Sequence, residues 1–203
     1  MSETAREGGP LASLKESVMP RIGYIVGSLS STSINRQVAN ALIGLAPANV
    51  EFVELDYRDL PVYSPDTDGD YPLAAREWKQ TIESVDGVII FTPEYLRSIP
   101  GALKNAIDWA SRPWGTNSFN GKPVAIAGAS VGAIGTATAQ QHLRAILAHL
   151  NAPTLGQPEV FLTHSRAFDA EGALLESARP VLEGFLTAAI AHIELNTPAL
   201  AQV

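Results

Sequence analysis

Residues 21–36 read RIGYIVGSLSSTSINR, and the hydrophobic period changes in the middle of them. Residues 21–28 form a short, β-branched apolar run that ends on small residues, which suits a strand buried on both faces. From Ser33 onward the apolar residues are Ile34, Val38, Leu42 and Leu45, at spacings of four, four and three, which lie on one helical stripe ending near Pro47. A strand, a loop of small residues and a helix in this order are the opening unit of an alternating α/β chain.

The alternation continues outward from there. Residues 50–56 (VEFVELD) predict a second strand, placed at a sheet edge by its interleaved acids, and a loop rich in Pro, Asp and Tyr carries the chain to Pro72. Helix 74–84, strand 86–92, helix 100–111, strand 122–128, helix 136–150 and strand 159–163 follow. A last amphipathic helix carries Val181, Leu182, Phe185, Leu186, Ala189, Ile190 and Ile193. Five strands alternating with five helices imply one parallel sheet covered on both faces, because parallel strands need right-handed crossovers. No linker, repeat or low-complexity tract divides the chain. The expected organisation is a flexible leader over residues 1–19, one domain over 20–196 and a short tail over 197–203, with Met19 as a second candidate start.

Composition excludes several kinds of chemistry. The 203 residues include no cysteine and four histidines, so a disulfide framework, a thiolate metal site and a cysteine nucleophile are all ruled out. The formal net charge of −7 offers no basic footprint for nucleic acid. His142 and His149 lie seven apart on one predicted helix, and His164 and His192 stand alone, so no metal-ligand spacing emerges and no metal is expected. Residues 1–18 lack the apolar core of a secretory signal, which predicts a cytoplasmic protein. The longest uncharged run, residues 123–143, is broken by Gly, Ser, Thr and Gln at a density that argues against a membrane span.

In an open α/β sheet, ligands sit beyond the carboxyl ends of the strands near the point where strand order reverses. Three loops therefore hold the candidate chemistry. The first, residues 27–36, offers Ser28, Ser30, Ser31, Thr32 and Ser33, followed by Asn35 and Arg36 in the first helical turn, where free N–H groups favour an anion. It matches neither the dinucleotide fingerprint nor a P-loop. One helix cap needs one hydroxyl, and five favour a phosphate site over a plain capped turn. The second loop, residues 92–101, is stiffened by Pro93 and Pro100 and suits either the edge of a planar heterocycle beside Tyr95 or a structural turn. The third contains Gly128-Ala-Ser130-Val-Gly132.

Taken together, GSLSSTSINR, PEYLRSIPGALKNAIDWASRP and GASVGAIGTATAQQHLR resemble the NADPH-dependent FMN reductase family, which includes quinone- and chromate-reducing flavoproteins. The resemblance runs from about residue 21 to about residue 196. It implies a flavodoxin-like three-layer α/β sandwich with a five-stranded parallel sheet in the order 2-1-3-4-5. It also implies FMN as cofactor and NADPH or NADH as electron donor. By that resemblance Ser28, Ser33, Asn35 and Arg36 hold the FMN phosphate, Pro93, Glu94, Tyr95, Leu96 and Ser98 flank the isoalloxazine, and Ser130 and Gly132 approach it from the third loop. The hydride chemistry belongs to the flavin, so no catalytic side chain is assigned. The expected acceptor is a small molecule such as a quinone, a free flavin, an azo compound or a metal oxyanion. A homodimer or homotetramer is implied; separately, the helix ending at Trp109 and residues 111–114 after it place Trp109 and Trp114 near the predicted cofactor edge, or else Trp109 is simply a core residue. The sequence departs from the family pattern at Ser30, where Arg is usual, and at Leu96, where Asn is usual. The first departure places more of the phosphate's charge on Arg36, in a pocket expected to be locally electropositive; the second changes little if that position meets the flavin through its backbone, and alters flavin potential or acceptor choice if through its side chain.

Three rivals remain. A flavodoxin-like electron carrier or regulatory module would share the fold. Gly128-Ala-Ser130-Val-Gly132 also satisfies the G-x-S-x-G of a hydrolase nucleophile elbow, with Asp169 or Glu171 and then His192 in suitable order, although no oxyanion loop is seen upstream. Residues 66–77 nearly spell a calcium loop, but Tyr71 stands where the required Gly belongs, and a solvated acidic loop is the better expectation.

Overall fold

The computed structural model describes residues 19–197; the expected leader, apart from Met19, and the tail beyond residue 197 lie outside the described residues. Five strands form one sheet: β1 (Arg21–Val26), β2 (Glu51–Glu54), β3 (Gly87–Phe91), β4 (Val124–Ser130) and β5 (Val160–Thr163). All four neighbouring pairs are parallel and the order is β2-β1-β3-β4-β5, as the resemblance implies. β2 is an edge strand, as its alternating acids predict. The order reverses between β1 and β3, so the loops that leave these two strands diverge from a common crevice.

Period-two alternation divides the core between the two faces. Val88 and Ile90 of β3 point to one side and Ile89 and Phe91 to the other, all with no solvent exposure. The first face, with Ile25, Val124 and Ile126, packs against α2 (Leu73–Glu83), α3 (Gly101–Ala110) and α4 (Ala137–His149) through Trp78, Ile82, Leu103, Ile107 and Leu143. The second face packs against α1 (Ile34–Gly44) and α6 (Arg179–Asn196) through Val38, Leu42, Leu182 and Phe185. A four-residue helix, α5 (His164–Ala167), follows β5 and is not foreshadowed by the sequence period. Strand β4 runs two residues past its expected end at 128, because Ser130 stays in the ladder opposite Thr163 of β5.

Trp109 is fully buried, donating from Nε1 to the Pro61 carbonyl at 2.7 Å and meeting the rings of Tyr63 and Tyr71 edge-on. It is a core residue, the second of the two readings its position allowed; Trp114, by contrast, is 83% exposed.

Candidate functional site

The hydroxyl-rich loop leaves β1 at Gly27, whose N–H bonds the Phe91 carbonyl at 2.8 Å and so ties the loop's root to β3. Ser33 caps α1: its side chain accepts the Arg36 N–H at 3.2 Å, as its place before the helical stripe predicts. The loop folds on itself, with Ser30 Oγ 3.1 Å from Thr32 Oγ1 and accepting the Thr32 N–H at 3.2 Å. The first turn of α1 supplies further N–H groups that have no intrahelical acceptor. Hydroxyls and amide donors beside a helix N-terminus are the donor set a phosphate monoester needs, and these residues fit the FMN phosphate.

The second loop is strained. Leu96 and Arg97 have φ of 51° and 66°, in the left-handed region. Tyr95 and Ser98 exchange backbone hydrogen bonds at 2.9 and 3.0 Å across this bend. The Ser98 N–H is therefore taken, whereas the amides of Leu96 and Arg97, at the turn of the bend, make no backbone hydrogen bond among the described residues. The Tyr95 hydroxyl lies 3.1 Å from Ser28 Oγ, which links the ring-side loop directly to the phosphate-side loop. Pro93 contributes its carbonyl, which accepts from the Thr92 hydroxyl at 2.8 Å.

Two predicted ligands have other work. The side chain of Asn35 is completely buried and bridges the backbone of β4, donating to the Ala129 carbonyl and accepting its N–H, both at 2.9 Å. This amide pair pins α1 to the sheet, so Asn35 can offer a phosphate its backbone N–H alone. Glu94 turns away from the crevice, with its Oε2 accepting the N–H groups of Thr138 and Ala139 at 3.0 and 3.1 Å. These are first-turn donors of α4, whose own N-cap residue, Thr136, makes no side-chain cap. A carboxylate from the β3 loop thus caps a helix belonging to the next unit, where the helix dipole favours it. Arg97 pairs with the same carboxylate at 3.2 Å. Glu94 therefore holds the loop in place from behind.

Arg36 is also engaged. Its guanidinium lies 2.6 Å from Glu54 Oε1 at the end of β2, and the Tyr24 hydroxyl donates to Glu54 Oε2 at 3.1 Å. Hydrogen bonding to Glu54 raises the Arg36 pKa, and burial, followed by Glu54's charge, raises that of Tyr24. Arg58 pairs with Asp56 at 2.7 Å nearby. Ser28, Ser30, Arg36, Glu54, Asp56 and Arg58 share a cleft of about 340 Å³, so its two cations face two carboxylates. The expected local positive charge at Ser33–Arg36 is neutralised. Tyr57, which donates to the Val26 carbonyl at 3.1 Å beneath this cleft, has its pKa raised chiefly by burial.

The third loop brings Ser130 and Gly132 together, with the Gly132 N–H on Ser130 Oγ at 3.1 Å. Nothing here resembles a hydrolase triad. His192 bonds the Pro153 carbonyl at 3.0 Å, and the Pro153 carbonyl takes the N–H of Val124, the first residue of β4, whereas Ser130 is its last. The histidine and the serine sit at opposite ends of the sheet, and Asp169 caps its own turn by accepting from Glu171 and Ala173. Gly128, first of the apparent elbow glycines, has a packing reason instead: a Cβ there would lie 2.2 Å from the Thr92 carbonyl oxygen. Among the described residues no group of His, Asp and Glu could hold a metal, and no helix is long and apolar enough to cross a membrane.

Glu54 and His142 escaped the sequence reading. Glu54 sits among the β2 acids, which mark only an edge strand, and His142 reaches Ser98 Oγ at 3.1 Å from the second turn of α4. No local pattern points to either contact.

A doubly wound parallel sheet, with a hydroxyl-rich helix entry and a rigid proline loop meeting at its switch point, defines a flavodoxin-like protein built for a phosphorylated cofactor. The chain belongs to the NADPH-dependent FMN reductase family, which it matches over residues 20–167. It is 50% identical over 168 residues to 2-hydroxy-1,4-benzoquinone reductase of Burkholderia sp., covering 82% of this chain and 92% of that one. It is 42% identical over 167 residues to an NAD(P)H-dependent FMN reductase of Pseudomonas aeruginosa, covering 81% and 90%. Among solved structures it superposes on FerB, the flavoenzyme NAD(P)H:(acceptor) oxidoreductase of Paracoccus denitrificans, with a TM-score of 0.81 and 40% identity over 87% of this chain and 98% of that one.

Proposed function

We propose that this chain is an FMN-dependent oxidoreductase that takes electrons from NADH or NADPH and delivers them to a quinone. The observation that carries the proposal is the junction of two loops at one sheet end, the hydroxyl-rich entry of α1 and the strained 93–98 bend, joined by the Ser28–Tyr95 contact. The names of the relatives support a quinone as acceptor. Free flavins, azo compounds and metal oxyanions such as chromate remain further candidate acceptors.

FMN, when bound, supplies hydride acceptance and redelivery. The protein's part is to bind, orient and polarise. Ser28, Ser33 and the first-turn amides of α1 hold the phosphate, with the Asn35 N–H among them. The bend at Leu96 and Arg97 turns its amides toward the ring, where they stabilise negative charge. Pro93 and Tyr95 stiffen that side, Glu94 and Ser98 anchor the loop to α4, and Ser130 and Gly132 border the opposite side. Donor and acceptor share one open face, so they bind in turn.

Purified, FMN-loaded protein is expected to oxidise NADH or NADPH with a soluble benzoquinone as acceptor, and its double-reciprocal plots are expected to be parallel. Absence of nucleotide oxidation would leave a flavodoxin-like carrier, and intersecting plots would reject the shared face. The protein is further read as a cytoplasmic homodimer or homotetramer. A groove of about 1060 Å³ between α3 and α4, lined by Ile107, Arg112, Ile146 and His149 beside the exposed Trp114, is the face offered to the second copy. Light scattering on wild type and Trp114→Ala tests this, and a wild-type monomer refutes it.

A further inference from the structure

The cation nearest the phosphate loop is already spoken for. Arg36 stands in the first turn of α1, yet its guanidinium reaches across to β2 and meets Glu54 at 2.6 Å, with the two side chains about one-third exposed (33% and 35%). Glu54 is itself held from the other side by the Tyr24 hydroxyl at 3.1 Å. The pair borders the same cleft as Ser28, Ser30 and Ser31, and the second arginine of that cleft, Arg58, is matched by Asp56 at 2.7 Å. An anion arriving at the loop thus meets hydroxyls and amides first. Arg36 has further N–H groups to offer it, but their positive charge is already shared with a carboxylate.

We propose that Glu54 sets the affinity of the phosphate loop by competing with the ligand's phosphate for Arg36. Glu54 is a positioning residue; it acts through Arg36 and touches no cofactor atom. Tyr24 sharpens the competition by fixing the carboxylate where the guanidinium finds it. The inference rests on the assignment of the FMN phosphate to this loop.

The test is flavin-fluorescence quenching on the full chain stripped of flavin, titrated with FMN and, separately, with riboflavin, which lacks the phosphate. Glu54→Gln is expected to bind FMN about tenfold more tightly, the size of one charge-assisted contact recovered, with riboflavin affinity unchanged. In an Arg36→Ala background the same substitution is expected to change FMN affinity by less than about twofold, since the residue through which it acts is gone. Tyr24→Phe, which frees Glu54 without removing its charge, is expected to shift FMN affinity the same way by a smaller factor. The proposal is overturned if Glu54→Gln leaves FMN affinity unchanged or weakens it, if the gain persists without Arg36, or if riboflavin tightens equally. Wild-type protein that binds riboflavin as tightly as FMN would instead refute the assignment of the phosphate to the loop, a separate result.

Discussion

Leu96 occupies a conformation that its side chain does not favour, and the consequence can be worked out. Its φ is 51°, and a left-handed backbone costs a residue with a Cβ about 1–2 kcal/mol. Ordinarily packing would offset such strain, but the Leu96 side chain is fully exposed, at 101% of its reference area. Leu96→Asn therefore removes strain and loses no burial, because Asn tolerates this region through local hydrogen bonding; the expected gain is about 0.5–1 kcal/mol. Leu96→Gly removes the strain fully but adds chain entropy to the unfolded state, so its net gain is smaller, about 0–1 kcal/mol. Leu96→Val places a β-branched side chain at positive φ and is expected to lose about 1 kcal/mol. Urea unfolding of the flavin-free proteins reads these differences as shifts in midpoint at constant slope. In a chain of this size each kcal/mol moves the melting temperature by about 2–4 °C. The order Asn, Gly, Leu, Val is the content of the prediction. A destabilised Leu96→Asn, or a Val variant equal to wild type, would mean that the bend at 96–97 is not left-handed in solution.

Asn35→Ala strips two hydrogen bonds from the Ala129 backbone in a fully buried place, and the loss is expected to be about 2–4 kcal/mol by urea unfolding; a loss below 1 kcal/mol would deny the bridge between α1 and β4. Glu94→Ala uncaps α4 and frees the 93–98 bend, with an expected cost of about 1–2 kcal/mol and weaker FMN binding, while Glu94→Gln, which keeps one acceptor, should lose less; equal losses would refute capping by the carboxylate. Burial raises the pKa of Tyr57 and Tyr71 above the ordinary 10.0, so the unfolded chain ionises first and the stability they contribute is complete below pH 10 and falls away above it. Lys79 and Lys122, pushed below 10.5 by burial, work in the opposite sense as pH rises toward that value. Unfolding midpoints taken from pH 8 to 11 should therefore fall less steeply above pH 10 in Tyr57→Phe than in wild type, and an unchanged slope would remove the tyrosine from the account.

The fold was legible because its signals are local and repeated. Each strand is a run of four to seven residues bounded by small or turn residues, and each long helix keeps one apolar stripe, so the change of period marks every boundary to within a few residues. The discrepancies have local physical causes. β4 outlasts its expected end because Ser130 and Thr163 continue a ladder that residue type alone does not announce. The four residues of α5 are too few to display a helical period.

The candidate loops were legible in the sequence but the partners of their side chains were not, and the reason is separation along the chain. Asn35 reads as a phosphate ligand because it lies in a first helical turn among hydroxyls; that it is consumed by Ala129 depends on a contact 94 residues away. Glu94 reads as a ring neighbour because it precedes Tyr95, but its partners, Thr138 and Ala139, lie 44 and 45 residues downstream. Arg36 reads as the free cation of the pocket until β2 brings Glu54 alongside. In each case the side chain that looked available for ligand is engaged by a strand or helix that the fold places beside it, and the donors proposed for the cofactor are then chiefly backbone N–H and hydroxyl. A negatively charged protein can hold an anionic cofactor on such terms, because dipoles fixed by the fold attract a phosphate without requiring a surplus of cations in the chain.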